Sequence, residues 1–370
     1  MRPGLRKIFV GVLYGLAVLT FFEAAARAAL SNEAFFKRVA GDDDASWRLR
    51  FARRQRGETR IYYSFDVHHP TRGWTLRPGL SDVDVFRGKK LSSNSRGLRG
   101  ARERAYEKPP GVVRILAFGD SFTFGEDVSD DETWAHQLEQ QLPGSEVLNF
   151  GIHGYGHDQM LLYLQEEGVK YHPDVVILGF LSDDMERNLL SFRDYAKPRF
   201  VLDGERLAGV TGPPLPAPDE MLAREPWRSR LGDLFTMLGA RVRARAGRRD
   251  AEMKRVTVAI LDQMALTIRS VGAVPAFAYL PVYGEITKPD ATMTTRERFF
   301  FSYCRQRGIQ SMYLQRFFLD KQKSGVDLKT YGHWGPAEHR TAAEGMRAYL
   351  LEKGVIKNHH KDTKDTKNHP

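Results

Sequence analysis

From Gly111 onward, short apolar runs alternate with longer segments of helical character, and this alternation constrains the fold more than any other feature. The first run, from Val112 to Phe118, is of the kind that fills a strand buried on both faces. Further strands are predicted at 146–149, 175–180 and 274–280, and helices near 132–141, 159–167, 252–270, 295–307 and 336–351. Strands that alternate with helices indicate an α/β fold, in which a parallel sheet is flanked by helices on both faces.

The carboxyl ends of the first three predicted strands carry the segments 118–121, 149–156 and 181–184. In open parallel sheets the reactive site lies outside the carboxyl ends of the strands. These three segments are therefore expected to meet at one edge of the sheet.

The first thirty residues read as a targeting segment. Arg2, Arg6 and Lys7 precede the uncharged run 8–22, and Glu23 then interrupts it before several small residues. A basic start, an apolar run and small residues after it are typical of a signal peptide. Extended over 8–30, the same segment is long enough for an uncleaved membrane anchor. Both alternatives export the rest of the chain, because the positive flank stays inside, so an extracytoplasmic location is predicted.

The remaining organisation follows from composition. Residues 31–110 are polar and rich in turn signals, with a β-like piece at 60–65, and are expected to form an irregular, partly β extension. The α/β domain is expected over 111–354, with an insertion at about 190–250. The tail 355–370, in which Lys-Asp-Thr recurs, is expected to be disordered.

The net charge of +10 comes partly from that tail and partly from an arginine-rich stretch near 224–249. Within this stretch apolar residues recur at helical spacing, which predicts an amphipathic helix coated by arginines: Leu231, Leu234, Phe235, Leu238 and Val242. The arginines form either an ordinary solvated face or a surface attracted to lipid headgroups or an acidic polysaccharide. Nucleic acid is not an expected partner of an exported chain. The single cysteine, Cys304, lies in an apolar helical run and is expected to pack in the core.

A serine and a histidine that could act together as nucleophile and general base lie far apart in the sequence. Ser121, in Gly119-Asp120-Ser121, follows the first strand directly, where its hydroxyl can face a cleft beside backbone N–H groups. Taken alone, the motif fits an ordinary helix N-cap as well. His333 precedes the last predicted helix, and a neutral imidazole there can take the proton of Ser121 and pass it to a leaving group. His339, on that helix, is read as structural.

The motifs occur in the order of the SGNH/GDSL hydrolase family, which the chain from about 112 to 350 resembles. Gly119-Asp120-Ser121 resembles the nucleophile block, 149–156 the second block, 181–184 the third, and His333 with its neighbours the last. The resemblance implies a flavodoxin-like three-layer fold, a serine nucleophile at Ser121, a base at His333, and an oxyanion hole formed by Ser121 and Gly154. A weaker resemblance, at 73–74 and 94–99, is to exported members associated with cell-surface polysaccharides.

The chain departs from the family pattern at two positions. Asp183 stands where the family has an oxyanion asparagine, and an ionised aspartate cannot donate a hydrogen bond. Thr330 stands where the family has the acid that orients the histidine. Asp327 is the nearest acid on that loop; otherwise Thr330, a backbone carbonyl or water would orient His333. His153 and His157 are spaced like a helical metal pair, but the glycines beside them disfavour a metal site, and no cofactor is expected.

The function expected from these residues is an esterase or deacylase that acts on an acylated carbohydrate or a lipid ester, with O-acyl groups of a cell-surface polysaccharide as one such substrate. Two alternatives stay open: an O-acyltransferase on exopolysaccharide that uses the same acyl-enzyme, and a catalytically weak carbohydrate-binding protein. The replaced asparagine and aspartate leave the level of activity open.

Overall fold

The computed structural model describes residues 3–56, 65–86, 88–286, 292–328 and 332–356. Most of the β-like piece predicted at 60–65, Thr330, and the tail from residue 357 onward lie outside the described residues.

Helices and strands alternate along the domain as the sequence predicts. The strands are β1 Asp66–His69, β2 Gly73–Leu76, β3 Val83–Val85, β4 Lys89–Leu91, β5 Val113–Phe118, β6 Ser145–Asn149, β7 Val175–Phe180, β8 Arg199–Asp203, β9 Arg206–Thr211, β10 Val274–Tyr279 and β11 Gln310–Tyr313. The helices are α1 Pro3–Ser31, α2 Glu33–Val39, α3 Asp44–Arg56, α4 Ser121–Phe124, α5 Trp134–Gln141, α6 His157–Glu166, α7 Asp184–Arg187, α8 Pro218–Arg224, α9 Arg230–Arg245, α10 Arg248–Ser270, α11 Tyr283–Ile286, α12 Thr295–Gln306, α13 Gln315–Lys323 and α14 Pro336–Glu352.

A five-stranded parallel sheet in the order β11-β10-β7-β5-β6 forms the centre of the domain. Successive residues of β5 face opposite sides, since Leu116 belongs to one apolar cluster and Ile115 to the other. Helices α6, α10 and α12 contribute to the first cluster, and α5, α13 and α14 to the second. The predicted fold class, a parallel sheet between two helical layers, is confirmed. Strands β7, β5 and β6 are neighbours, so the loops at their carboxyl ends meet at one edge.

The N-terminal extension differs from the prediction, because it begins with two helices, α2 and α3, before the hairpins β1–β2 and β3–β4. Ala45, Leu49 and Ala52 are buried at helical spacing on α3. The arginines interspersed among them lower the average apolar character of the segment and mask this pattern. The extension is partly β, as predicted, through its two hairpins, but residues 33–39 and 44–56 are helical, which the prediction did not include.

Helix α9 is present in the insertion, but the face that is buried is not the one predicted. Several of the apolar residues expected to face the core are exposed instead. Arg230, Asp233, Met237 and Ala240 are buried on it. The exposed fractions of Phe235, Leu238 and Val242 are 67%, 43% and 66%. Burial of Arg230 is possible because its guanidinium pairs with both Glu225 and Asp233 at 2.8 Å.

Cys304 is fully buried on α12, which confirms the prediction that it packs in the core. Strand β11 and helix α13 were not predicted. The sequence of β11, Gln-Ser-Met-Tyr, lacks the apolar run of an interior strand, because β11 is an edge strand and only Met312 on it is fully buried.

A buried ion pair ties the segment after β7 to helix α6. Lys197 Nζ contacts Asp158 Oδ2 and donates to the carbonyl oxygens of Arg187, Leu190 and Pro198 at 3.0 to 3.1 Å. Both charged side chains are completely buried. The lysine therefore contacts one buried carboxylate and three backbone carbonyl groups.

We expect Lys197→Met to lower the free energy of unfolding by about 3–5 kcal/mol, because it leaves the Asp158 carboxylate buried without its partner. Lys170→Met is the matched control: Lys170 pairs with Glu167 on the surface, and losing such a pair costs at most about 1 kcal/mol. Urea unfolding of the detergent-solubilised chain, followed by tryptophan fluorescence, measures both. Equal transition midpoints for the two variants would contradict the structural role of Lys197.

Candidate active site

The turn after β5 positions Ser121. Asp120 caps the short helix α4, since its Oδ1 accepts a hydrogen bond from Phe122 N at 3.0 Å. Ser121 is the first residue of α4 and is buried. Gly119 is needed for room, because a Cβ at this position would lie 2.0 Å from Thr123 Oγ1. The N-cap and nucleophile interpretations of the motif are thus compatible: Asp120 caps the helix through Oδ1, and the Ser121 hydroxyl makes only a long contact, 3.4 Å, with Asp120 Oδ2.

The structure brings His333 to Ser121, across 212 residues of sequence. His333 Nε2 lies 2.9 Å from Ser121 Oγ, within hydrogen-bond reach for a general base. Trp334 fixes the loop that carries His333, since its Nε1 donates to Pro281 O at 3.1 Å. The backbone N–H of Gly335 donates to Glu338 at 2.7 Å and starts helix α14.

The second block is held against the nucleophile turn by Asn149. Its Nδ2 donates to Thr123 O, and its Oδ1 accepts from Gly151 N, both at 2.9 Å. A Cβ on Gly151 would lie 2.3 Å from Phe124 N, so only glycine permits this close approach of two backbones. The loop after β6 therefore packs directly on the turn that carries Ser121.

Comparison with known proteins agrees with this arrangement. The family model described as GDSL-like Lipase/Acylhydrolase matches residues 117–297. Residues 117–297, which include Ser121 but not His333, therefore resemble the GDSL-like lipase/acylhydrolase family. The chain is a serine hydrolase that acts on ester bonds.

Solved structures similar to the chain include TesA, at 13% identity and a TM-score of 0.39, covering 66% of this chain and 99% of TesA. An acetyl xylan esterase, AlAXEase, matches at 12% identity and a TM-score of 0.37, covering 65% of this chain and 100% of its own. Axe2, an acetylxylan esterase from Geobacillus stearothermophilus, matches at 15% identity and a TM-score of 0.38, covering 64% and 94%. No curated protein matched the chain.

Among the described residues, the structure does not pair His333 with Asp327, the acid expected to orient it. Asp327 is exposed, and within the described ranges no ion pair of 4.0 Å or less joins it to His333. Glu126, which the sequence analysis missed, lies closer: its Oε2 is 3.6 Å from His333 Nε2, the nitrogen that faces Ser121, so its charge can act on an imidazolium but it does not hold the other ring nitrogen as an orienting acid would. It follows Ser121 by five residues, and its backbone N–H donates to Ser121 O at 3.0 Å. Its position at the end of the nucleophile turn was the signal that could have identified it.

The two residues predicted to help form the oxyanion hole follow β6 and β7. Gly154 has a φ of 72°, and a Cβ on it would approach Arg193 Nη1 to 2.9 Å and Asp194 Oδ2 to 3.0 Å. Asp183 follows β7 and its side chain is exposed. The roles of Gly154 and Asp183 stay predictions.

Arg187 is a second residue that sequence reasoning missed. Its Nη1 donates to Asp120 Oδ2 and to Tyr155 O, both at 2.9 Å, and also to Asp184 Oδ1. Burial raises the pKa of the Asp184 carboxyl well above its usual range, and the charge of Asp120 adds to this, while Arg187 opposes it. One guanidinium thus connects the nucleophile turn, the second block and the segment after β7.

The other histidines considered in the sequence have structural partners. His153 Nε2 lies 2.9 Å from Asp66, and His157 Nδ1 lies 3.2 Å from the Asn188 amide. Burial lowers the pKa of His157 to about 3, and Arg187 contributes to this. His339 Nδ1 accepts from Trp134 N at 3.1 Å. Within the described residues no group of three or more potential metal ligands is found.

We expect Glu126→Gln to lower kcat about fivefold with little change in KM. The carboxylate stabilises the imidazolium that forms at His333 during the reaction, and solvent screens this partly exposed pair. Steady-state kinetics on a p-nitrophenyl ester measures the effect, and Glu103→Gln, an exposed carboxylate bound to Ser95, is the control. An unchanged kcat in Glu126→Gln would remove Glu126 from the mechanism.

Proposed function

We propose that the protein hydrolyses O-acyl esters through an acyl-enzyme on Ser121, with His333 as general base and acid. The observation that carries this proposal is the 2.9 Å distance between His333 Nε2 and Ser121 Oγ. Ser121 Oγ attacks the ester carbonyl carbon while Nε2 takes the hydroxyl proton, and the imidazolium then protonates the departing alcohol. A water molecule, deprotonated by His333, attacks the carbonyl carbon of the acyl-enzyme, and the imidazolium returns the proton to Ser121 Oγ as the bond to the acyl group breaks and the carboxylic acid leaves. N–H groups of Ser121 and Gly154 are proposed to hold the oxyanion.

The substrate we propose is an acylated carbohydrate. A cavity of about 210 Å³ is lined by one aromatic, one aliphatic and five charged residues: Asp42, Trp47, Asp183, Glu186, Arg187, Leu190 and Arg193. Its wall includes Arg187, which binds the aspartate next to Ser121. Such a lining suits a polar, hydroxyl-rich ligand better than a long acyl chain. Neither this cavity nor a larger one of about 550 Å³ has Ser121 or His333 in its lining. We prefer the smaller one because Asp183 and Arg187, which line it, both follow β7 at the edge of the sheet that carries Ser121.

We further propose that α1 is an uncleaved anchor that holds the domain outside the membrane. Residues Gly4–Ser31 form a helix that is long and apolar enough to cross a membrane by length and composition, a test that signal sequences near an N-terminus also pass. The last turns of α1 are built into the domain, since Ala26 and Leu30 are buried. Cleavage after the apolar run would remove residues that complete this packing, which favours the anchor.

We expect Ser121→Ala and His333→Ala each to lower kcat/KM for p-nitrophenyl acetate by about 10³-fold or more, because each removes a group that acts in bond making. Ser270→Ala and His136→Ala, both exposed and remote from the site, are the matched controls. Circular dichroism checks that every variant is folded. Wild-type rates in Ser121→Ala would leave only carbohydrate binding as the function. Adding an oligosaccharide acceptor to the same assay separates hydrolysis from acyl transfer.

We expect Asp183→Asn to raise kcat/KM about tenfold. If Asp183 lies where the family places its oxyanion asparagine, an amide there supplies a donor, and one such donor is worth about 10²–10³ in an optimised site. Asp131→Asn, on an exposed turn, controls for the lost charge. An unchanged or lower rate for Asp183→Asn would place this residue outside the oxyanion hole.

A further inference from the structure

Helix α9 presents an apolar stripe to the outside of the domain. Phe235, Leu238 and Val242 recur at the spacing of one helix face, and all three are exposed. We call these three residues the α9 stripe. The opposite face of α9 is already packed, through Met237 and Ala240, so the stripe is not a displaced part of the core.

The membrane helix joins the domain at the N-terminus of α9. Glu23 accepts hydrogen bonds from Ser229 Oγ at 2.8 Å, from Arg230 N at 2.9 Å and from Leu231 N at 3.1 Å. Arg27 donates to Arg228 O at 2.8 Å. The carboxylate of Glu23 thus satisfies N–H groups at the beginning of α9 and fixes α1 beside it.

The free part of α1 ends where this contact begins. Its exposed large apolar residues are Leu5, Ile8, Phe9, Val10, Val12, Leu13, Tyr14, Leu16, Leu19, Phe21 and Phe22. A helix from Leu5 to Phe22 is about 27 Å long, close to the thickness of the hydrocarbon core. With this part in a bilayer, Glu23 and the start of α9 lie at the membrane surface.

Two further features near the start and the end of α9 are typical of a surface that contacts lipid. Trp227, three residues before α9, is 89% exposed, and tryptophan is favoured at the membrane–water interface. Arg243, Arg245 and Arg248 are exposed at the end of α9 and the start of α10, and they form no ion pair within the part of the chain described. Unpaired arginines beside an apolar stripe are the pattern of helices that lie on anionic membranes.

We propose that α9 lies along the surface of an anionic bilayer, with the α9 stripe and Trp227 inserted at the headgroup level and the arginines on lipid phosphates. This inference rests on the proposal that α1 is an anchor. A second attachment beside α1 fixes the orientation of the catalytic domain relative to the membrane, which α1 alone would leave free to swivel.

The single cysteine makes a labelling experiment direct, because Cys304 is buried and unreactive beside an introduced surface thiol. Full-length Phe235→Cys and Leu238→Cys, each labelled with the fluorophore NBD, are placed in phosphatidylglycerol/phosphatidylcholine nanodiscs. Leu13→Cys reports the insertion of α1. Val271→Cys, exposed after the far end of α10, is the matched control. We expect blue-shifted emission, about twofold brighter, and quenching by doxyl lipid at positions 13, 235 and 238 but not at 271.

Reversing two charges tests the lipid chemistry. The change Arg243→Glu with Arg245→Glu should return the label at 235 to the emission of position 271 while leaving position 13 in lipid, because anionic headgroups then repel the helix. Nanodiscs of phosphatidylcholine alone should weaken the signal at 235 in the same way.

The outcomes separate the two proposals. One outcome is lipid contact at position 13 together with water-like emission and iodide quenching at positions 235 and 238. It would overturn the docking of α9 on the bilayer and leave the anchor proposal intact. Water-like emission at position 13 as well would overturn the anchor. In detergent, the label at position 235 could instead be shielded from iodide quenching while light scattering shows a dimer. That result would assign the stripe to a second copy of the chain and overturn the lipid proposal.

Discussion

The geometry of the active site depends on the guanidinium of Arg187. It binds both Asp120 and Asp184, which are completely buried. A buried carboxylate that loses its partner costs several kcal/mol, so the segment after β7 cannot move away from the turn after β5 without a large penalty. Because Asp120 also caps the helix that begins with Ser121, the position of the nucleophile is set by a contact from a different strand end.

The same network accounts for the acid found where the family resemblance implies an asparagine. Adjacent residues in a helical turn point in directions about 100° apart, and it is Asp184 whose carboxylate contacts the Arg187 guanidinium. Asp184 takes the buried position, while Asp183 is exposed and lines the same cavity as Arg187. Water can stabilise the charge of Asp183, and the fold therefore tolerates an acid here without a buried partner.

Sequence patterns predicted the fold best where burial is complete. All six residues of β7 are buried and form an apolar run, whereas the edge strand β11 has only one fully buried residue and no such run. The residues of the active site were likewise predicted only in part from the sequence. Ser121 and His333 lie in recognisable motifs, but Glu126 and Arg187 act through contacts that only the folded chain creates. Composition alone does not reveal those contacts; for Glu126 the sequence offers only its position at the end of the nucleophile turn.

Helix α9 shows why charge patterning alone misleads. Its sequence predicts apolar residues inside and arginines outside, yet Arg230 is buried beside Asp233 while Phe235 is exposed. A buried ion pair stabilises the fold only when its geometry compensates for the loss of hydration. Leaving the stripe in water loses about 25 cal/mol of burial free energy for each Å² of apolar surface. In water, both the buried ion pair and the exposed apolar stripe therefore carry a free-energy cost. At a bilayer surface the second cost becomes a gain, because the stripe leaves water. The contact of Glu23 with Arg230 places the start of α9 where the apolar run of α1 ends, so one surface can satisfy both helices if α9 extends along it.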